Sequence, residues 1–500
     1  MSKKLKLNVI SSTSVYLINV VIAFFMSPIL IRALGNRDYG LWDVVLGIIG
    51  YMGLLDLGMG PALVRYVSVA EANNNEQMLK KYVSSAFFFF LLVGIIAFCV
   101  LILIGFNPTW ILGSQAKEVS SLKLVFIIVG VNLFVQFPGT VLVGTLMGLQ
   151  RHYFINFVRS ILAVAQAILI VVLIKAYPAY CLVILASVET FGLLFQYSLY
   201  ALMFVTIQQL PTPSVRTFSW LAVREMWWFG IRNSMLMLAS RLQKQAVPFI
   251  IGRSIGLQTV VFFSLPNRLV EYGRGLSMAM GFPLMPYFGA LSQSEDVADI
   301  QQNWKKTSFA LQTVTLVMPI LLWFAGEPFL NLWIGETYAK NGGLVLKILI
   351  VGLAFEALSP NAGRYLVGAA KHGQAAKIWL IISIVFVSCA ILGANIAGIV
   401  GVALASSLAS SCGACVTLYL ACRQLDLTVK VHLNDTVMPL MLPLFLSALS
   451  LWAVFKVWPP LSYASLIFGT TLSLCLYFVL VLFKINNFKF IPSVKRSSQI

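Results

Sequence analysis

Charge is what this chain has least of: only 10% of its 500 residues are Asp, Glu, Lys or Arg, while 59% are hydrophobic. Soluble domains carry about 25% charged residues, so a mean hydropathy of +0.90 excludes a globular protein whose main solvent is water. Three histidines and seven cysteines leave little material for metal or redox chemistry. Cys412 and Cys415 form a CxxC, but no second thiol pair or nearby histidine completes a zinc site. His152, His372 and His432 fall in expected loops and read as interfacial residues. HExxH, P-loop and Asp-x-Asp patterns are all missing, so the chain is read as a non-enzyme without a cofactor. A membrane polymerase or ligase would need a sizeable external loop for its acceptor, and no connection here offers one.

What is present is a succession of apolar runs, each long enough to cross a hydrocarbon core of roughly 30 Å as a helix. Fourteen spans are expected, at 8–34, 41–64, 82–106, 122–147, 153–175, 178–205, 223–251, 258–286, 307–332, 343–367, 374–394, 398–422, 433–457 and 461–483. The fold class is therefore all-α integral membrane, multi-pass, in the cytoplasmic membrane. With both termini inside, nineteen Lys and Arg fall on the cytoplasmic side and eight outside, the bias that the positive-inside rule requires. The same bias accounts for the net charge of +18 without nucleic acid, and makes the lipid bilayer the partner of the basic loops.

The chain also repeats itself. Trp110-Ile111-Leu112-Gly113 returns as Trp333-Ile334-Gly335, and Gly148-Leu149-Gln150-Arg151-His152 returns as Gly368-Ala369-Ala370-Lys371-His372. Pro61 and Pro283 match in the same order, each ahead of a Lys-Lys pair, Lys80-Lys81 and Lys305-Lys306. Two parallel six-helix units follow, 1–206 and 207–424, with two further helices and a basic tail at 425–500. Transporters built from such repeats hold substrate between the halves and alternate access by rocking them.

Several stretches resemble a known family: Pro28-Ile29-Leu30-Ile31-Arg32-Ala33-Leu34-Gly35, Tyr39-Gly40-Leu41-Trp42, Leu54-Leu55-Asp56-Leu57-Gly58-Met59-Gly60 and Arg364-Tyr365-Leu366-Val367-Gly368. They look like Wzx-type polysaccharide and O-antigen flippases, of the superfamily that also holds lipid II flippases and multidrug and toxin extruders. The resemblance implies twelve core helices in two lobes around a central cavity plus two more, and export of a polyprenyl-diphosphate-linked oligosaccharide. A glycan polymerase complex would be the neighbouring machinery. Lipid II flippases resemble one another in carrying arginines deep in the first helix; this chain has none there before Arg32, which sets lipid II behind other lipid-linked glycans. A cation-coupled drug extruder is the other alternative.

The chemistry should lie in charges inside the spans, which are costly and face a cavity or a partner. Asp43, Asp56 and Glu189 oppose Arg159 in the first lobe; Arg232, Arg241, Lys244, Arg268, Arg274, Lys347 and Arg364 oppose Glu271 and Glu356 in the second. Seven cations facing lipid would cost on the order of 20 kcal/mol, so they line water, pair or meet an anion. Arg232, Arg241, Lys244, Arg268 and Arg274 are the expected diphosphate-binding set, because guanidinium forks match phosphate oxygens. Asp56 and Glu189 are the expected sites for a coupling ion, H+ or Na+. The competing reading is structural, with Arg268, Glu271 and Arg274 forming a local ladder on one helix.

Overall fold

The computed structural model describes residues 3–112, 121–206, 212–281, 283–292, 297–371 and 373–487. These are helical almost throughout, and no strand occurs among them. In hydrocarbon a helix satisfies its own backbone groups, which an open sheet cannot do. The chain divides into two compact units, Met1–Val261 and Phe262–Ile500.

The first unit holds α1 (Lys3–Met52), α2 (Met59–Ala72), α3 (Glu76–Phe106), α4 (Thr109–Leu112), α5 (Leu122–Gly148), α6 (His152–Ala176), α7 (Cys181–Thr206), α8 (Trp220–Ser254) and the start of α9 (Leu257–Gly281). The second continues α9 and adds α10 (Leu284–Leu291), α11 (Val297–Thr315), α12 (Val317–Trp333), α13 (Glu336–Ala357), α14 (Ala362–Gly368), α15 (Gly373–Gln424), α16 (Val429–Thr436), α17 (Met438–Val457) and α18 (Tyr463–Asn487). Among the described residues, ten segments are long and apolar enough to cross a membrane. Two of them contain a glycine that leaves helical geometry, Gly35 at φ 71° in α1 and Gly398 at φ 62° in α15, a backbone region only glycine enters freely. The compact units part within α9, whereas the sequence repeat parts ahead of α8.

Large apolar side chains such as Phe25, Phe157, Ile168, Phe191, Leu392 and Phe483 stand exposed, as expected where lipid is the solvent. Within the first unit, α3 lies along α5, α1 along α6 and α8, and α2 against α5 and α8. Tyr82 of α3 donates to Glu225 Oε2 of α8 at 2.6 Å and stacks on Tyr66 of α2 at 4.4 Å, while the Arg65 guanidinium lies 4.2 Å above the Phe229 ring. Within the second unit, α13 lies along α12 and α15, and the α17–α18 pair packs on α12. Tyr477 of α18 fixes that pair by donating to the Thr313 carbonyl at 2.8 Å.

His432 departs from the expectation of an interfacial loop residue. It sits on the short helix α16, fully buried, stacked on Trp304 with ring centroids 4.2 Å apart, beside the Lys305–Asp435 ion pair at 2.7 Å. Burial, and secondarily Lys305, push its imidazole down to about 4, against a smaller opposing pull from Asp435. Between that value and the ordinary 6.5 the unfolded chain binds more protons than the folded one, so stability rises with pH through this window. Docking of α16 should be complete above pH 6.5 and weaken by up to about 3 kcal/mol as pH falls toward 4. Tryptic cleavage at Lys430, followed from pH 7.5 to 5, should accelerate in wild type and lose that pH dependence in His432→Phe; flat wild-type kinetics would refute it.

Candidate functional site

The second expected span, 41–64, is interrupted where its acid lies. After α1 ends at Met52, Gly53–Asp56 form a single 3-10 turn, Leu57 (φ 49°) and Gly58 (φ 79°) turn left-handed, and α2 begins at Met59. Pro61 explains the position, because its ring clashes with the carbonyl four residues back, at Leu57, and it has no N–H to donate. Asp56 then serves the new helix: its Oδ1 accepts the Gly60 N–H at 2.8 Å, placing a carboxylate at the positive end of the α2 dipole.

Helix α8 closes the other side of this break. Arg241 Nη1 donates to the Gly53 carbonyl, one of the groups the interruption frees, and its charge acts favourably on Asp56. Tyr51 OH donates to the Leu242 carbonyl at 3.3 Å. Gly53, Asp56, Gly58, Pro61, Leu238 and Arg241 are among the residues lining a cavity of ≈ 20 Å³, room for about one water. The expected ion-coupling acid and one expected substrate-binding cation are thus brought to one place.

The close approach depends on Gly230, where a Cβ would fall 2.5 Å from the Gly58 carbonyl oxygen and 2.6 Å from its carbon. Backbone cannot swing aside as a side chain can, so Gly230→Ala should force α8 off the break. A loss of about 1–3 kcal/mol is expected, together with a fall in transport larger than that from Gly53→Ala, where the obstructing atom is only the flexible end of Arg241. Thermal unfolding and export measured on the two variants side by side check the order.

The remaining expected site residues are dispersed. Glu189 is exposed on α7, and no interaction joins it to Asp56 among the described residues. Lys244 is exposed on α8 in the same compact unit as Arg241. The Arg232 side chain lies outside the described residues, as does His372. Arg268 and Arg274 are on the part of α9 that belongs to the second unit.

Arg274 is already engaged by anions. Its Nη1 meets Glu271 Oε1 at 2.5 Å, its Nε meets Glu356 Oε2 of α13 at 2.7 Å, and its Nη2 donates to Ser410 of α15 at 3.2 Å. One guanidinium between two carboxylates leaves the trio net negative, the wrong sign for holding a phosphate. The helical step from Glu271 to Arg274 is the part of this network that sequence spacing foretold. Lys347 is likewise paired, with Glu327 of α12 at 3.0 Å, a third intramembrane acid that counting only Glu271 and Glu356 overlooks. Arg364 instead holds neutral carbonyls, those of Ser277 at 2.7 Å and Pro360.

Comparison with known proteins bears on what this arrangement belongs to. The profile of the family described as "Polysaccharide biosynthesis protein" matches residues 5–292. The chain belongs to that family. A Shigella flexneri member named "Putative O-antigen transporter" is 21% identical over 348 residues, which cover 69% of this chain and 80% of that protein. Among solved structures, a lipid II flippase MurJ in an inward closed conformation aligns with 96% of this chain and 99% of its own at TM-score 0.68 and 13% identity. An inward-facing multidrug resistance MATE transporter of the MOP superfamily aligns with 85% and 95% at TM-score 0.64 and 14% identity. This family member is a multi-pass inner-membrane protein with the fold shared by those transporters.

Proposed function

We propose that this polysaccharide biosynthesis family member is a flippase that moves a polyprenyl-diphosphate-linked oligosaccharide across the cytoplasmic membrane by alternating access, driven by an H+ or Na+ gradient. Family membership and the printed names of the relatives support the substrate class. Counting each side of the Gly35 and Gly398 breaks as a span, and adding the more charged α8 and α9 to the ten apolar segments, supports a reading of fourteen membrane helices. They form two six-helix repeats plus α17 and α18, with both termini in the cytoplasm.

The observation that carries the mechanism is the state of Arg241, which donates to a neutral carbonyl on the α1–α2 break and lies near enough to the Asp56 carboxylate for the two charges to attract. A diphosphate oxygen is a stronger acceptor for a guanidinium than a carbonyl. Protonation or cation binding at Asp56 would remove the rival anion and release Arg241 to the substrate, so the Asp56 carboxylate and the lipid compete for one side chain and ion binding favours lipid binding. Arg232, Lys244 and Arg268 extend the cationic set; Arg274 holds the second unit together.

Purified protein reconstituted into vesicles with a fluorescent polyprenyl-diphosphate saccharide tests this. Translocation should require the protein and accelerate with an imposed ion gradient. Protein-dependent efflux of cationic drugs with no movement of the lipid would instead establish the extruder reading, which the MATE-like fold keeps alive.

A further inference from the structure

Buried polar atoms without a hydrogen-bond partner are concentrated in one place. Among the described residues seven of eleven such atoms belong to Trp304, Ser308, Gln312, Ser359, Asn361 and His432. All but Ser359 are residues with 0% exposure. Trp304, Ser308 and Gln312 stand four apart on α11 and form one ridge about 12 Å long. That ridge faces the interruption between α13 and α14, which Pro360 imposes by its missing N–H and its clash with residue 356.

The freed carbonyls of the interruption are met by side chains: Gln312 Nε2 donates to Leu358, Thr315 Oγ1 to Ala357 and Arg364 Nη1 to Pro360. Asn361 Nδ2 donates to Thr307 Oγ1 at 2.8 Å. The other half of each amide, Gln312 Oε1 and Asn361 Oδ1, has no donor, and neither hydroxyl of Ser308 and Ser359 has a partner. An unpartnered buried group bears its full desolvation penalty, and seven together would offset most of a domain's net stability.

The chemistry of the set identifies what satisfies it. Trp304 Nε1 can only donate and needs an acceptor; the two amide oxygens can only accept and need donors. A metal cation serves the oxygens alone, and Arg364 beside Pro360 would repel it. Water serves both. At one end of the ridge His432 stacks on Trp304, with both ring nitrogens unpartnered and Lys305 and Asp435 as its charged neighbours. At the other end Ser359 N–H donates to the Glu356 carbonyl, and the Glu356 carboxylate meets Arg274, itself bound to Glu271.

We propose that α11, the α13–α14 interruption and His432 enclose a file of ordered water that carries protons between the face where Asp435 lies and the Glu271–Arg274–Glu356 cluster. A proton entering at His432 makes one O–H bond on each water as the next is broken, and arrives on Glu356, neutralising its carboxylate and loosening its bond to Arg274. The water file stands on the unpartnered atoms alone; its use rests on the ion-driven reading above.

Hydroxyl-radical footprinting of the purified full-length protein in H2(18)O tests the file in wild type. Trp304 and His432 should be oxidised as fast as the exposed Trp220 despite their burial. Rates as low as that of Tyr200, buried with its hydroxyl bonded to the Ile155 carbonyl, would overturn the file. In Ser308→Ala/Gln312→Leu, oxidation at Trp304 should be lost, and gradient-driven proton uptake by protein-containing vesicles should fall while ungraded lipid exchange persists. Unchanged proton uptake in that variant would overturn the conduit, whatever becomes of the flippase assignment.

Discussion

Arg274→Ala is expected to destabilise the protein by about 3–5 kcal/mol, the usual consequence of deleting one member of a buried charge network. It removes the guanidinium that bridges Glu271 and Glu356, both less than one-third exposed. Arg274→Lys should recover part of the loss, because one ammonium cannot reproduce three separate donations to Glu271, Glu356 and Ser410. Adding Glu271→Gln and Glu356→Gln to the alanine variant should restore stability by removing the charges that Arg274 bridged. Thermal unfolding in detergent measures all of these. If Arg274→Ala unfolds like wild type and yet fails to export, the residue acts on substrate, and the structural assignment is wrong.

The contrast between Arg274 and Arg241 shows what sequence alone reveals. Membrane character and approximate spans were readable because composition, run length and loop charge act over tens of residues, and the polysaccharide biosynthesis family through the stretches that resemble it. The break at Gly53–Gly58 was also within reach, since Pro61 forbids a regular helix through Leu57, although an apolar run read as one span from 41 to 64 passes over it. Pairings between helices were not. Glu356 reaches Arg274 across 82 positions and Glu327 reaches Lys347 from another helix. Which faces meet depends on helix rotation, and helices apolar all round give almost no periodic signal to fix it. An excess of cations therefore looked like a substrate site when part of it was internal neutralisation. His432 misled for a related reason: eight residues of α16 between two spans resemble a loop until Trp304 is seen to cover them.

The largest functional effect is expected at the Asp56–Arg241 break. Asp56→Asn keeps an oxygen for the Gly60 N–H, so α2 should remain capped and the protein should fold; Asp56→Ala loses that bond as well and should cost about 1 kcal/mol more. What Asn removes is the charge that competes for Arg241, so translocation should lose its dependence on the ion gradient while substrate still binds. Arg241→Ala leaves the Gly53 carbonyl unpartnered, a penalty of about 1–3 kcal/mol, and should abolish translocation at normal protein levels, with Lys restoring only a fraction. If the two side chains act as one switch, the double variant Asp56→Asn/Arg241→Ala should transport no worse than Arg241→Ala alone, since groups that share one interaction are not additive. Gradient dependence that survives unchanged in Asp56→Asn would reduce Asp56 to a helix cap. The coupling ion would then have to act elsewhere, and the negative Glu271–Arg274–Glu356 trio would become the place to look.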